Sequence, residues 1–229
     1  MNSIKKVLLI LLAVIAMCFV VFLVILFISM MPTRGKKITS YVNPQKAVLV
    51  IDIQRDFTAA TAKPPFPYKN ADKLIVALNK LTKEVAQNNI TVIYLRQEFA
   101  GFFGKMFSRL FCRGKGIKGN PGTEFDGRLF IASDHIFPKP KGDAFSDPKF
   151  EAFLIEHRIN ELYLTGLDAE YCVYHTAKGA LSRGYNVNII TDAILLFDEK
   201  KWEDILDKYR KNGIVLQTSD KFLENVILD

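Results

Sequence analysis

Apolar residues follow three rhythms along this chain. The first is unbroken: from Val7 to Met31 no charged residue occurs. The second is a set of short, β-branched runs at 47–53 (AVLVIDI), 90–95 (ITVIYL), 161–165 (ELYLT), 187–191 (VNIIT) and 214–217 (IVLQ). Continuous apolar runs of this length predict strands buried on both faces, as in parallel sheets. The third is helical. Leu74, Leu78, Leu81 and Val85 recur at spacings of four, three and four within 70–89, and Asn88-Asn89 marks the stop. Segment 171–183 reads as a helix closed by Gly184. Trp202, Ile205, Leu206 and Tyr209 mark another, ended by Asn212-Gly213, and a short one begins near Lys221. Strands alternating with helices predict an α/β fold with three layers, α/β/α, around a mostly parallel central sheet. KPPFPY (63–68) and 119–128 read as loops.

The unbroken run needs a separate account. As a helix, 25 residues rise about 37 Å, more than the roughly 30 Å bilayer core, and tilt relieves the excess. A cleaved signal peptide has a shorter apolar core and a small-residue cleavage site. Here the run leaves through Ser29-Met30-Met31-Pro32. Cys18 is a poor lipoprotein site, because Met17 precedes it and the apolar run continues beyond it. The expectation is a single-pass anchor in residues 1–38, with a span of about 7–31 and a basic flank, in contact with the lipid bilayer. One compact domain, 39–229, follows. Lys5 and Lys6 stand before the span, and Arg34, Lys36 and Lys37 after it. So even a balance leaves the side of the membrane undecided.

Charge adds little. Those five basic residues account for much of the net charge of +7. No zinc-finger spacing or aromatic-basic RNA motif appears, so no nucleic-acid partner is expected. Of three cysteines, Cys18 lies in the span, and Cys112 and Cys172 lack C-x-x-C spacing. Free thiols and a reducing compartment are the default. Segment 102–113 (FFGKMFSRLFCR) sets Phe103, Met106, Phe107, Leu110 and Phe111 on one face, with Lys105, Ser108, Arg109 and Arg113 elsewhere. The first expectation is that the apolar face packs on the domain or on a second subunit. A helix lying on anionic lipid and a pocket lid are the alternatives.

In open parallel sheets, ligands bind beyond the C-terminal strand ends. Asp52 lies at the end of the first strand. Cys172 comes six residues after Gly166, at a helix start. Unpaired N–H groups there favour a thiolate and can bind an oxyanion. A nearby carboxylate can take the thiol proton and return it to a leaving amine. Taken alone, Cys172 reads equally as a small buried hydrophobe, and Asp52 as a loop or capping residue.

AVLVIDIQRDF (47–57), KPKGDAF (139–145) and TGLDAEYCVYHTAKGALSRGY (165–185) together resemble the isochorismatase-like cysteine hydrolases. That family includes nicotinamidases, N-carbamoylsarcosine amidase and ureidoacrylate amidohydrolases. The motifs occur in the family's order, and the likeness covers nearly all of 45–229. Isochorismatases proper lack the cysteine, so its presence points to the amide-cleaving branch. The resemblance implies Asp52 as general base, Lys139 as catalytic lysine and Cys172 as nucleophile. It also implies a cis peptide at Leu167–Asp168, an oxyanion hole from the Asp168 and Cys172 amides, and Phe57 as a pocket wall. No cofactor and no metal are implied: 96–105 (RQEFAGFFGK) lacks the histidines that metal-dependent nicotinamidases carry there. The partner is a small amide-type molecule, and family relatives commonly self-associate.

Competing residues receive other readings. Lys141 is the near competitor of Lys139, Asp56 reads as structural, and Asp192 as a loop residue. His175 lies one turn after Cys172, where the family uses the aspartate instead; His135 and His157 fall on no recognisable chemistry. Ala169 stands where family members often carry threonine, which puts the oxyanion loop in question. Two other classes stay open. One is a non-catalytic binding or scaffolding module at a membrane; the other is a thiol redox sensor.

Overall fold

The computed structural model describes residues 2–64 and 66–228. It divides into two compact units, 1–31 and 32–229. The first is one helix, α1 (Asn2–Met30). Within it Ser3–Ile25 is long and apolar enough to cross a membrane. Its side chains from Val7 to Ile28 are apolar all round and exposed wherever described, apart from partly buried Phe22. A helix without a polar face has no side suited to water.

The second unit runs in the order β1 (Gln45–Ile51), α2 (Arg55–Thr58), α3 (Ala71–Gln87), β2 (Thr91–Gln97), α4 (Gly101–Phe111) and β3 (Ile136–Lys139). It continues through α5 (Pro148–Glu156), β4 (Ile159–Leu167), α6 (Cys172–Ser182), β5 (Asn186–Leu195), α7 (Trp202–Lys211), β6 (Val215–Gln217) and α8 (Ser219–Leu228). All six strands are parallel, in the order β3-β2-β1-β4-β5-β6. β3 is the strand that periodicity misses. Its four residues, Ile-Phe-Pro-Lys, pair at the sheet edge, where a proline is tolerated because no ladder bond is required of it on the free side.

The continuous apolar runs are explained by burial on both faces. Along β1, Ala47, Leu49 and Ile51 enter one core with Phe150 and Leu154 of α5, Val173 and Ala177 of α6, and Ile205 and Tyr209 of α7. Val48 and Val50 enter the other, with Leu74, Leu78, Leu81 and Val85 of α3 and Phe222 of α8. The α3 stripe is therefore the face that covers the sheet. β1 and β4 lie side by side with their next neighbours on opposite flanks, so the strand order reverses between them. This is the switch point where open α/β sheets bind ligands. The approach is close. Gly166 has φ +101, and a Cβ there would lie 2.1 Å from the Ile51 carbonyl oxygen, so only glycine fits.

Residues 32–38, predicted as part of the basic flank, pack on the domain. The Thr33 N–H and hydroxyl donate to Asp143 Oδ2 at 2.7 and 2.6 Å. The Arg183 guanidinium donates to Thr33 Oγ1 at 3.2 Å, and Ile38 N–H donates to the Arg183 carbonyl at 2.8 Å. Helix α4 meets the domain expectation for 102–113 only in part: Phe107 packs on Phe99 and Met106 is half-buried, while small residues also turn inward. Ser108 is buried, while Phe102, Phe103, Leu110 and Phe111 are exposed.

Candidate active site

Three strand ends and one helix start meet at the switch point. Asp52 follows β1 directly, with φ +59. A left-handed non-glycine residue is uncommon and is tolerated where its surroundings hold it. Here Asp52 N–H donates to the Leu95 carbonyl at 3.0 Å, and the Asp52 carbonyl accepts Gln54 N–H at 2.9 Å. Lys139 is the last residue of β3 and is fully buried. Its Nζ lies 2.8 Å from Asp52 Oδ2. Oδ1 of Asp52 is buried and makes no hydrogen bond. Cys172 opens α6, partly buried, where the charges of Lys139 and Asp52 act on its thiol.

Gln97, the last residue of β2, completes the cluster, and sequence reasoning missed it. Its Oε1 accepts from Lys139 Nζ at 2.6 Å and lies 3.9 Å from Cys172 Sγ. Its Nε2 donates to the Lys139 carbonyl at 2.9 Å. Gln54 clamps it in turn: Oε1 of Gln54 accepts Gln97 N–H at 2.8 Å, and Nε2 donates to the Gln97 carbonyl at 3.1 Å and to the Thr123 carbonyl at 2.7 Å. The only signal available was position, since Gln97 ends a strand next to β1.

Burial dominates the electrostatics. It pushes the Asp52 carboxyl above its ordinary value, and the Lys139 ammonium takes back part of that shift. Burial is the largest single influence and works against the Lys139 ammonium, but the charge and hydrogen bonding of Asp52, with Cys172 adding, together outweigh it and hold the amine protonated. The Cys172 thiol is pushed up by burial, against the pull of Lys139 and with the Asp52 charge adding to the rise. A helix start alone favours a thiolate; in this setting desolvation wins and the proton stays on sulfur. His175 is held down to about 4 by burial and by the Lys208 and Lys139 charges. It is neutral near pH 7 and a weak base.

The loop between β4 and α6 is fixed from several sides. The Leu167–Asp168 peptide is cis. The Asp168 carboxylate accepts from Glu170 N–H at 2.7 Å, Phe197 N–H at 2.7 Å and the Tyr68 hydroxyl at 3.1 Å. Ala169 N–H donates to the Leu195 carbonyl at 2.8 Å, and its carbonyl accepts the Tyr209 hydroxyl at 2.6 Å. The Ala169 side chain is buried in the apolar core. A hydroxyl there would need a partner, and alanine needs none. Among the described residues, the amides of Asp168 and Cys172 donate to no protein acceptor.

Phe57 packs in the core with its ring edge-on to Phe66, 5.5 Å between centroids. Phe66 also meets Tyr68 at 5.5 Å and Phe197 at 5.8 Å, forming an aromatic group beside the Asp168 loop. Phe66, Tyr68 and Phe197 escaped sequence reasoning because they come from two loops 130 residues apart. Asp56 points away from the cluster: Oδ2 accepts Gly116 N–H at 2.8 Å and Oδ1 the Lys115 ammonium at 3.4 Å. Asp192 accepts Ser219 N–H at 2.8 Å at the start of α8. His135 and His157 stack around Phe153. Lys139 reaches Asp52; Lys141 forms no ion pair among the described residues.

From the end of β2 the chain reads Gln97-Glu98-Phe99. Glu98 is held by Arg96 at 2.6 Å. Without imidazole, and with its one carboxylate engaged by a guanidinium, this donor set does not suit a first-row metal.

Comparison with known proteins agrees with this architecture. The isochorismatase domain model matches residues 46–221. An uncharacterized isochorismatase family protein of Bacillus subtilis is 29% identical over 167 residues, covering 68% of this chain and 89% of that protein. The Escherichia coli nicotinamidase is 25% identical over 178 residues, covering 65% and 82%. The crystal structure of N-carbamoylsarcosine amidase from Thermoplasma acidophilum superposes with a TM-score of 0.66 at 25% identity, covering 77% of this chain and 97% of that one. With a buried Asp-Lys pair and a cysteine at the switch point of a six-stranded parallel sheet, the chain belongs to the isochorismatase domain family of hydrolases.

Proposed function

We propose that this protein cleaves an amide-type C–N bond of a small molecule, with Cys172 as nucleophile, Asp52 as proton carrier and Lys139 as electrostatic support. The observation that carries the reading is the divided carboxylate of Asp52. Oδ2 is tied to Lys139, while the buried Oδ1 has no partner and is free to accept one proton.

The steps follow from that division. Cys172 rests as a neutral thiol, so proton loss accompanies attack. The Sγ–H proton goes to Asp52 Oδ1 as sulfur bonds to the substrate carbonyl carbon. Burial, which raises the Asp52 carboxyl, makes it a stronger acceptor than an exposed carboxylate. The oxyanion forms near the free amides of Asp168 and Cys172, and two such donors lower its energy. The C–N bond then breaks, and Asp52 returns the proton to the departing amine. A thioester on Cys172 remains. Water, deprotonated by Asp52, attacks it; the acid leaves and the thiol is restored. Lys139 keeps Asp52 anionic between proton transfers, and Gln97 holds Lys139 in place. Phe57, Phe66, Tyr68 and Phe197 form the apolar wall against which the substrate lies.

α1 serves as a single-pass anchor, with the basic residues on either side at the headgroups. The chain passes from anchor to domain between Met31 and Pro32. The test is amide-substrate profiling of the full chain beside Cys172→Ala and Asp52→Asn. Turnover by the parent and loss in both variants is expected. Turnover that survives Cys172→Ala rejects the assignment. For the anchor, alkaline carbonate should leave the chain in the membrane pellet; release to the supernatant rejects it.

A further inference from the structure

Helix α4 is oriented against the usual rule for an amphipathic helix. Its small residues face the domain: a Cβ on Gly104 would stand 3.4 Å from the Phe99 backbone. Ser108 is buried and donates to the Lys115 carbonyl at 2.6 Å. Met106 and Phe107 are half-buried, with Phe107 packed on Phe99 at 5.4 Å between centroids, while the other bulky residues face outward. Phe102, Phe103, Leu110 and Phe111 are 75%, 54%, 61% and 54% exposed. Four such side chains on one short helix form a patch that water solvates poorly, and such patches mark interaction surfaces.

The charge beside the patch has one sign. From Phe99 to Asn120 there are five basic residues, Lys105, Arg109, Arg113, Lys115 and Lys118, and no acidic one. Among the described residues, the ion pairs of this segment are Lys115 with Asp56 and Lys118 with Glu98. Lys105, Arg109 and Arg113 are exposed. A second copy meeting this face through itself would bring like charges together, which costs affinity. An anionic lipid surface complements both parts, with acyl chains for the aromatic rings and headgroups for the cations. The same chain carries a helix long enough to cross a bilayer.

We infer that α4 is an interfacial helix that docks on anionic lipid. Phe102, Phe103, Leu110 and Phe111 enter the headgroup–acyl boundary, and Lys105, Arg109 and Arg113 pair with the headgroups. α4 adjoins the candidate site along the chain: Gly101 comes four residues after Gln97. Docking therefore brings the site's surroundings to the lipid surface.

The test uses the full chain carrying Trp202→Phe and Phe103→Trp, in vesicles of phosphatidylcholine with or without phosphatidylglycerol, with brominated acyl chains as quenchers. Expected are a blue-shifted indole and strong quenching in the anionic vesicles. Lys105→Glu with Arg109→Glu should lower the docked-to-free ratio by at least roughly tenfold. Carbonate extraction scores α1 separately. A chain that stays in the pellet while the indole remains in water, or is quenched equally in both lipids, overturns the docking and spares the anchor. A blue shift that tracks protein concentration instead of lipid charge makes the occupant a second copy and also overturns it. If the tryptophan variant folds poorly, hydrogen exchange of amides 101–111 in the unaltered chain gives the same decision: slowed in anionic vesicles, or unchanged.

Discussion

Lys139 Nζ stands 2.8 Å from Asp52 Oδ2, with both side chains buried, and also donates to Gln97 Oε1 at 2.6 Å. Each charge is tolerated because the other is there. Lys139→Met removes the cation and leaves a buried carboxylate alone, at a cost of about 3–5 kcal/mol. Urea unfolding at pH 7 should show that loss. Lowering the pH should recover part of it, because the lone carboxyl can then take up a proton.

Gln97 holds the lysine without touching bonds that break. Gln97→Leu should lower kcat by about a hundredfold through misplacement of Lys139, with KM much less affected. Gln97→Glu keeps an acceptor for Nζ and should recover part of the rate. A mutant that loses stability but keeps its kcat would give Gln97 a purely structural role.

The pH profile follows from burial. Asp52 must be ionised to accept the thiol proton, and its carboxyl is raised above the usual value of about 3.9. The acid limb of kcat/KM should therefore lie above that of an ordinary carboxylate. The thiol is raised too, so alkylation of Cys172 by iodoacetamide should still be climbing at pH 9. A plateau near pH 6 would mean a resting thiolate and a different first step.

The Thr33 clasp makes a prediction away from the chemistry. Thr33→Val keeps the shape and loses the hydroxyl donor to Asp143, a bond to a buried carboxyl worth about 1.5–3 kcal/mol. Amides 140–146, just after Lys139, should exchange faster in this variant. Unchanged exchange would mean that the clasp carries no load.

Much of this fold is legible in residue pattern because both sheet faces are buried, so β1, β2, β4 and β5 read as apolar runs and α3 as a stripe. β3 is hidden by being short, at an edge and interrupted by Pro138. Asp52 and Cys172 stand out at a strand end and a helix start where the chain must turn, and Lys139 only through the resemblance that KPKGDAF carries. Gln54, Gln97, Tyr68 and Phe197 do not, because their roles depend on contacts between distant segments. The thiol's state is not legible in local sequence for the same reason. A helix start is visible in the chain; the desolvation that overrides it comes from the packed neighbourhood. Helix α4 shows the limit of periodicity, which finds an apolar face but cannot say whether protein covers it.

The central claim is that Cys172 carries the acyl group. Intact-protein mass spectrometry of the acid-quenched full chain during turnover of an amide found by profiling tests it directly. The account predicts an added acyl mass that maps to the peptide containing Cys172, accumulates in Asp52→Asn only to trace levels, and is absent from Cys172→Ala. Turnover at full rate with no adduct on Cys172, or an adduct that persists in Cys172→Ala, contradicts it.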